Sequence, residues 1–105
     1  MSNIGDLNDH LRRTSTGGRV LMTAAVAALD PTDQGEVLAR VREFADFNPD
    51  NGPHEEHDFA VVTVEGERYF FKVDYYDLTT TYGSEDPSDP AVTTRMLTIG
   101  HMSDY

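Results

Sequence analysis

A chain of 105 residues without a single cysteine excludes disulfides and thiolate metal sites, and its length suits one core in one domain over residues 1–105. Eight basic against nineteen acidic residues leave a net charge of −11, which disfavours direct binding to nucleic acid or to anionic membranes. Basic protein partners, divalent cations or plain solubility fit that balance better.

The acidity is regional. Residues 1–42 hold five acids and five arginines, and residues 91–105 balance Arg95 against Asp104. The excess therefore sits in residues 43–90, where thirteen acids face only Arg68 and Lys72. No apolar run approaches the ~20 residues that span a bilayer. Met1 to Asp6 lacks the basic-then-apolar order of a signal peptide, so the expectation is a cytoplasmic protein.

In chain order, Ile4 to Arg13 reads as a short helix with Ile4, Leu7 and Leu11 on one face, broken by the run Thr14 to Gly18. Val20 to Leu29 is a nearly continuous apolar run. Its preceding glycine pair and its Val20, Thr23 and Val26 point to a central strand, while its four alanines pull towards helix. Asp30 at N-cap and Pro31 at N1 then start a helix with an apolar stripe of Val37, Leu38, Val41, Phe44 and Ala45. Arg40 and Arg42 suit its C-terminal dipole, and Asn48 to Pro53 ends it.

Phe59 to Val64 and Glu67 to Tyr75 form a strand pair around Glu65-Gly66. A two-residue turn there fixes the pairing: partners have residue numbers that sum to 131. Ala60, Val62, Val64, Tyr69, Phe71, Val73 and Tyr75 then face the core. His57, Phe59, Val61, Thr63, Arg68, Phe70, Lys72 and Asp74 share the other, mixed face, with His57 opposite Asp74. Tyr82 to Pro90 reads as an acidic loop too polar and too proline-broken to pack, and Thr94 to Ile99 as the last strand. The order helix, strand, helix, hairpin, strand predicts an α+β fold, an antiparallel sheet of about four strands with two helices on one face.

Three constellations carry chemistry. His54-Glu55-Glu56-His57-Asp58 offers imidazoles and carboxylates, but it enters a strand where neighbours point apart, so a cross-strand polar pair of His57 and Asp74 is favoured over a metal site. Asp46 to Gly52 has the 1-3-5 oxygen spacing of a calcium loop. It places Gly52 one residue late, stiffens position 4 with Pro49 and ends on His57 where a bidentate Glu is required. Lys72, Asp74 and Asp77, with Ser84-Glu85-Asp86 beyond, read as a solvated acidic rim with Tyr76 and Tyr82 exposed beside it. No nucleophile elbow or phosphate loop is present, so no catalytic residue, metal ligand or cofactor is assigned.

Several of these segments together resemble a small bacterial family known as a domain of unknown function. They are Leu7-Asn8-Asp9 with Arg12; Gly17-Gly18-Arg19-Val20 with Thr23; Asn51, Pro53 and Glu56-His57-Asp58-Phe59; Lys72, Asp74-Tyr75-Tyr76-Asp77; Ser84 to Pro90; and Thr94-Arg95, Leu97-Thr98-Ile99. The chain departs from that pattern at Gly52, Glu55, Ala60 and Gly100-His101. The resemblance implies no activity; it implies that the polar motifs matter together. The further expectation that Glu56, His57, Asp74, Asp77, Glu85, Asp86 and Arg95 lie near one another rests on the hairpin pairing of His57 with Asp74 alone.

The leading expectation is a non-enzymatic acidic interaction protein that occludes a basic, nucleic-acid-binding partner. Anti-CRISPR and anti-restriction proteins of phages and plasmids are similar in size and acidity. Its partner-binding residues are Glu55, Glu56, His57, Asp74, Tyr76, Asp77, Tyr82, Glu85, Asp86 and Asp89. Two alternatives stay open: a metal-dependent enzyme or metal-binding domain built on His57 and nearby carboxylates, and a soluble accessory domain without a dedicated site.

Overall fold

The structure, a computed structural model, describes residues 3–47 and 56–105. Helix α1 (Asn3–Thr14) is followed by strand β1 (Arg19–Met22), the single turn α2 (Ala24–Ala27) and helix α3 (Pro31–Glu43). Strands β2 (Phe59–Val64), β3 (Glu67–Tyr76) and β4 (Thr94–His101) complete a sheet of order β1-β4-β3-β2, and a 3₁₀ turn, Met102–Asp104, follows. The fold is α+β as expected. The sheet, however, is mixed: β2–β3 and β3–β4 are antiparallel, whereas β1 runs parallel to β4. The long connection through two helices and a hairpin permits that parallel return. Three α-helices are present among the described residues where two were expected.

The extra helix comes from the apolar run 20–29. Its first part pairs with β4 as an edge strand, with Val20 opposite Leu97 and Met22 opposite Ile99. At Thr23, whose amide donates to the Ile99 carbonyl at 2.9 Å, the chain turns into the alanine-rich half, which forms α2 and buries Val26 completely. Alanine propensity prevails where the β-branched spacing ends. The run is thus neither central nor all strand.

Helix α3 starts as its sequence requires: Asp30 Oδ1 accepts the Asp33 amide at 2.8 Å and Pro31 opens the first turn. The hairpin also takes the predicted register, with Phe59 opposite Lys72 and Val64 opposite Glu67. Its turn holds Glu65 at φ 51° and Gly66 at φ 81°, the left-handed pair that a two-residue connection needs. Ala60, Val62, Val64, Tyr69, Phe71 and Val73 pack with Leu97 and Ile99 beneath Leu11, Val26, Val37 and Val41 of the helical layer.

The opposite face of the sheet departs from expectation at Phe70, which is buried. Its ring lies 5.1 Å from that of Tyr105 and passes over Gly100. Gly100 has no room for a side chain: a Cβ there would sit 2.6 Å from the Thr23 methyl and 2.7 Å from the Phe70 ring. Gly35 in α3 is the reverse, with nothing within 4 Å of an added Cβ. Gly100→Ala should therefore lower unfolding free energy by about 1–3 kcal/mol through overpacking. Gly35→Ala should raise it by about 0.5–1 kcal/mol through helix propensity. Urea denaturation of the two variants, with opposite shifts in midpoint, checks both.

Candidate functional site

Two polar residues of α1 point inward. The sequence placed Ile4, Leu7 and Leu11 on its buried face, yet Ile4 and Leu7 are half-buried while Asn8 (0% exposed) and Arg12 (1%) join Leu11 inside. Arg12 closes the end of α3: its Nη1 donates to the carbonyls of Val41 at 2.7 Å, Arg42 at 3.2 Å and Phe44 at 2.6 Å. These lie at the helix C-terminus, where carbonyls lack intrahelical donors and the dipole favours a cation. Nη2 donates to Asp9 at 2.9 Å, and the guanidinium lies over the rings of Phe47 and Phe71. Burial lowers the Arg12 pKa, and the Asp9 carboxylate opposes that shift.

Asn8 is the centre of a second set. Its carbonyl accepts from Arg95 Nε at 3.0 Å, and its amide donates to the Glu56 carbonyl at 2.9 Å and the Tyr75 hydroxyl at 2.7 Å. Tyr75 in turn donates to Glu56 Oε1 at 3.1 Å, and Arg95 stacks over the Tyr75 ring. Burial pushes the Tyr75 pKa well above the ordinary phenol value and that of Arg95 below its own. Arg95 Nη2 also donates to the Pro87 carbonyl, anchoring the loop that precedes β4.

His57 leaves the strand path. Its φ of 56° turns the side chain away from Asp74 and towards α1, where Nδ1 lies 3.0 Å from both oxygens of Asp9 and the ring stacks on Phe47 at 4.1 Å. The predicted His57–Asp74 pair is therefore not formed. Asp74 instead holds Lys72 at 3.0 Å, a contact that raises the lysine pKa. The 131 rule still holds one residue on, since the Val73 amide donates to the Asp58 carbonyl. The chain diverges only at the left-handed residue.

The acidic loop buries none of its residues from Tyr82 to Pro90, as its polarity predicts, but hydrogen bonds tie its backbone down. Asp77 Oδ1 accepts from the amides of Thr79 and Thr81 and from the Thr79 hydroxyl, and the Asp77 amide donates to the Tyr82 carbonyl. Asp86 Oδ1 accepts from the Ser88 amide and hydroxyl, and Asp89 Oδ1 from the Ala91 amide. Thr93, buried, ties the base by donating to the Asp86 carbonyl and contacting Ser84 Oγ at 2.6 Å. Short Asx turns give this polar segment the backbone partners that a sheet would otherwise supply. Leu78 (62% exposed) and Tyr82 (74%) stand out from it and share a concavity with Asp77, Glu85 and Val92.

Glu56, His57 and Arg95 are thus brought together through Asn8, Asp9 and Tyr75, while Asp77, Tyr82 and Glu85 meet at the loop concavity. Tyr76 bridges Gly83 at the base of that loop. Glu55, His54 and most of the Asp46–Gly52 run lie outside the described residues. The residues that sequence reasoning passed over as site members are Asn8, Asp9, Arg12 and the Tyr75 hydroxyl. The signal for the first three was polar side chains at the spacing of Leu11 on a helix whose apolar face is narrow. Among the described residues, the acids whose oxygens lie within 4.8 Å of one another are Asp33, Glu36 and Glu65, a hard-oxygen group that includes neither His57 nor Asp74. The Asp30 charge pushes the Asp33 pKa upward there.

Asn8→Ala leaves the Arg95 Nε without its acceptor in a buried site. It should cost roughly 3 kcal/mol, while Thr14→Ala, which loses an exposed bond to the His10 carbonyl, should cost under about 0.5 kcal/mol. Urea midpoints at unchanged m-value measure the contrast. Hydrogen bonds from the loop hold the pKa of Asp77 and of Asp86 below the ordinary carboxylate value, led by the Thr79 and Ser88 hydroxyls respectively. Carboxylates depressed in the folded state stabilise it above their unfolded pKa, and that contribution fades as pH falls through the folded value. The Thr79, Thr81 and Ser88 amide resonances should therefore keep their loop positions down to the ordinary carboxylate range. They should move towards random-coil values only below it.

No helix among the described residues is long and apolar enough to cross a membrane. Neither a curated protein nor a solved structure matches the chain. A family model does, over residues 22–104, a span that contains Glu56, His57, Tyr75, Arg95 and the whole acidic loop and leaves out Asn8, Asp9 and Arg12. The chain belongs to the family described as protein of unknown function DUF3768.

Proposed function

We propose that this protein works by binding, presenting the loop of residues 77–93 to a basic protein whose nucleic-acid-binding surface it occludes. One observation carries the reading: Leu78 and Tyr82 are exposed side by side on a loop whose backbone is tied down by Asp77, Asp86 and Asp89. An ordered segment has already lost the conformational freedom that association would otherwise cost. Tyrosine ringed by polar groups is the side chain that most often anchors an interface. The carboxylates of Asp77 and Glu85 share the concavity of that anchor, and Asp86 and Asp89 add negative charge on the same loop, which steers a basic partner over long range. In this reading the acids supply encounter and register, and the apolar pair supplies residence time.

The test is capture from a host lysate at low salt, followed by a salt gradient, with the wild-type chain beside Tyr82→Ala and Glu85→Lys. The expected outcome is one basic, nucleic-acid-handling protein that elutes at moderate salt. Both variants should recover it at least about tenfold less well, the loss typical of an interface anchor. The partner's own nucleic acid should displace it. Capture indifferent to salt, or a partner that holds this protein and nucleic acid together, would overturn the proposal.

A further inference from the structure

Strand β1 closes one side of the sheet, and among the described residues no strand pairs with its outer edge. In a parallel pair every second residue turns its amide and carbonyl to the neighbouring strand. The Thr23 amide goes to Ile99 of β4, so Arg19 and Leu21 face β4 in the same way. The amides and carbonyls of Val20 and Met22 therefore point out of the sheet. Unpaired edge groups of this kind are a template for another strand. The side chains around them are apolar: Leu21 is 48% exposed and Met22 40%, and Ala24, Ala27 and Ala28 just beyond are exposed as well. On the helical side of the edge, Val20 and Met22 border a largely apolar hollow of about 110 Å³ with Leu38, Leu97 and Ile99.

Charge separates this edge from the opposite one. Asp58 stands just before β2 and Glu65 just after it. Antiparallel pairing of two β2 edges brings the Asp58 of one copy towards the Glu65 of the other at both ends, and like charges across a strand pair repel. His10 to Leu29, by contrast, contains no acid and three arginines in a chain of net charge −11. The acidity that keeps two copies apart elsewhere is missing at β1, and its arginines attract the acidic remainder of a second copy.

We propose that two copies of this chain pair through β1, antiparallel about a two-fold axis at Leu21, into one continuous eight-stranded sheet. Such a pair is isologous: the same patch serves on both sides. The register follows from the outward groups. Val20 exchanges both backbone hydrogen bonds with the partner's Met22, and Met22 does so with the partner's Val20. Leu21 then faces the partner's Leu21 in the non-hydrogen-bonded position, where side chains come closest. Val20 and Met22 meet on the helical side and cover the hollow. The helices of both copies share one face of the joined sheet. Because β4 runs parallel to β1, the loops of residues 77–93 that precede it lie at opposite ends of the paired strands.

Sedimentation of the full chain over a concentration series tests the pairing, and the absence of cysteine gives a second readout. The wild-type chain should pass from monomer to dimer as concentration rises and go no further, since pairing uses up both β1 edges. Leu21→Lys, at an exposed position, should weaken the dimer at least about tenfold by exchanging an apolar contact for two like charges face to face. Leu21→Cys should form a disulfide-linked dimer on mild oxidation, because facing Cα atoms ~4.5 Å apart lie within the span of a disulfide. Thr63→Cys, exposed on β2 at the other edge, should stay monomeric under the same conditions. Three results would overturn the proposal: a monomer at every concentration, Leu21→Lys associating as the wild type does, or Thr63→Cys cross-linking as fast as Leu21→Cys. The two cysteine variants decide the matter even if the lysine variant does not fold.

Discussion

The structure is organised around a full positive charge that water does not reach. Arg12 is 1% exposed, and a buried guanidinium is tolerated only where several acceptors converge on it. Three backbone carbonyls at the end of α3 and the Asp9 carboxylate do so, which fixes the angle at which α1 crosses α3. Asp9 then serves a second donor, His57, and the left-handed backbone at His57 is the conformation that lets the chain reach it before entering β2. One buried side chain thus couples both ends of the helical layer to the start of the hairpin.

Asn8 extends the same logic to β4. Its one carbonyl and two amide hydrogens are all used, by Arg95, Glu56 and Tyr75, and Arg95 passes the constraint on to the loop through Pro87. Close approach completes the junction: a Cβ on Gly18 would lie 2.6 Å from the Arg95 carbonyl, so β1 meets β4 at a distance only glycine allows. The regional charge imbalance follows from this division. Two of the arginines are spent inside the fold, and the acids of residues 56–90 are left to the hairpin and the loop, where several of them shape turns. Their charge stays at the surface even though their lone pairs are partly engaged.

Different parts of this architecture were legible to different degrees. The Asp30-Pro31 start and the Glu65-Gly66 turn are local chemistry: a capping oxygen, a fixed φ and a left-handed pair decide the outcome within four residues. The hairpin register follows from the turn. Residues 20–29 were ambiguous because Val20 and Ala24 obey opposite propensities, and only pairing to Leu97 and Ile99 decides where strand gives way to helix. The His57–Asp74 pair was read from a strand extended one residue too far. The loop's lack of apolar packing was legible, but not its order, which comes from side chains bonding to backbone.

What the sequence by itself determined is therefore the α+β class, the third helix's start and the inward side of its stripe as far as Val41, though the helix stops at Glu43 and leaves Ala45 exposed, the hairpin with its core face, and the location of the excess charge. These depend on interactions between residues close in the chain. Only the tertiary structure decided that β1 returns parallel to β4, that Asn8 and Arg12 point inward, and that His57 belongs to Asp9. Each of those rests on partners separated by dozens of residues, Arg95 with Asn8 and His57 with Asp9 among them. A polar side chain on a helix carries no mark of which distant carbonyl will accept from it until the chain has closed around both.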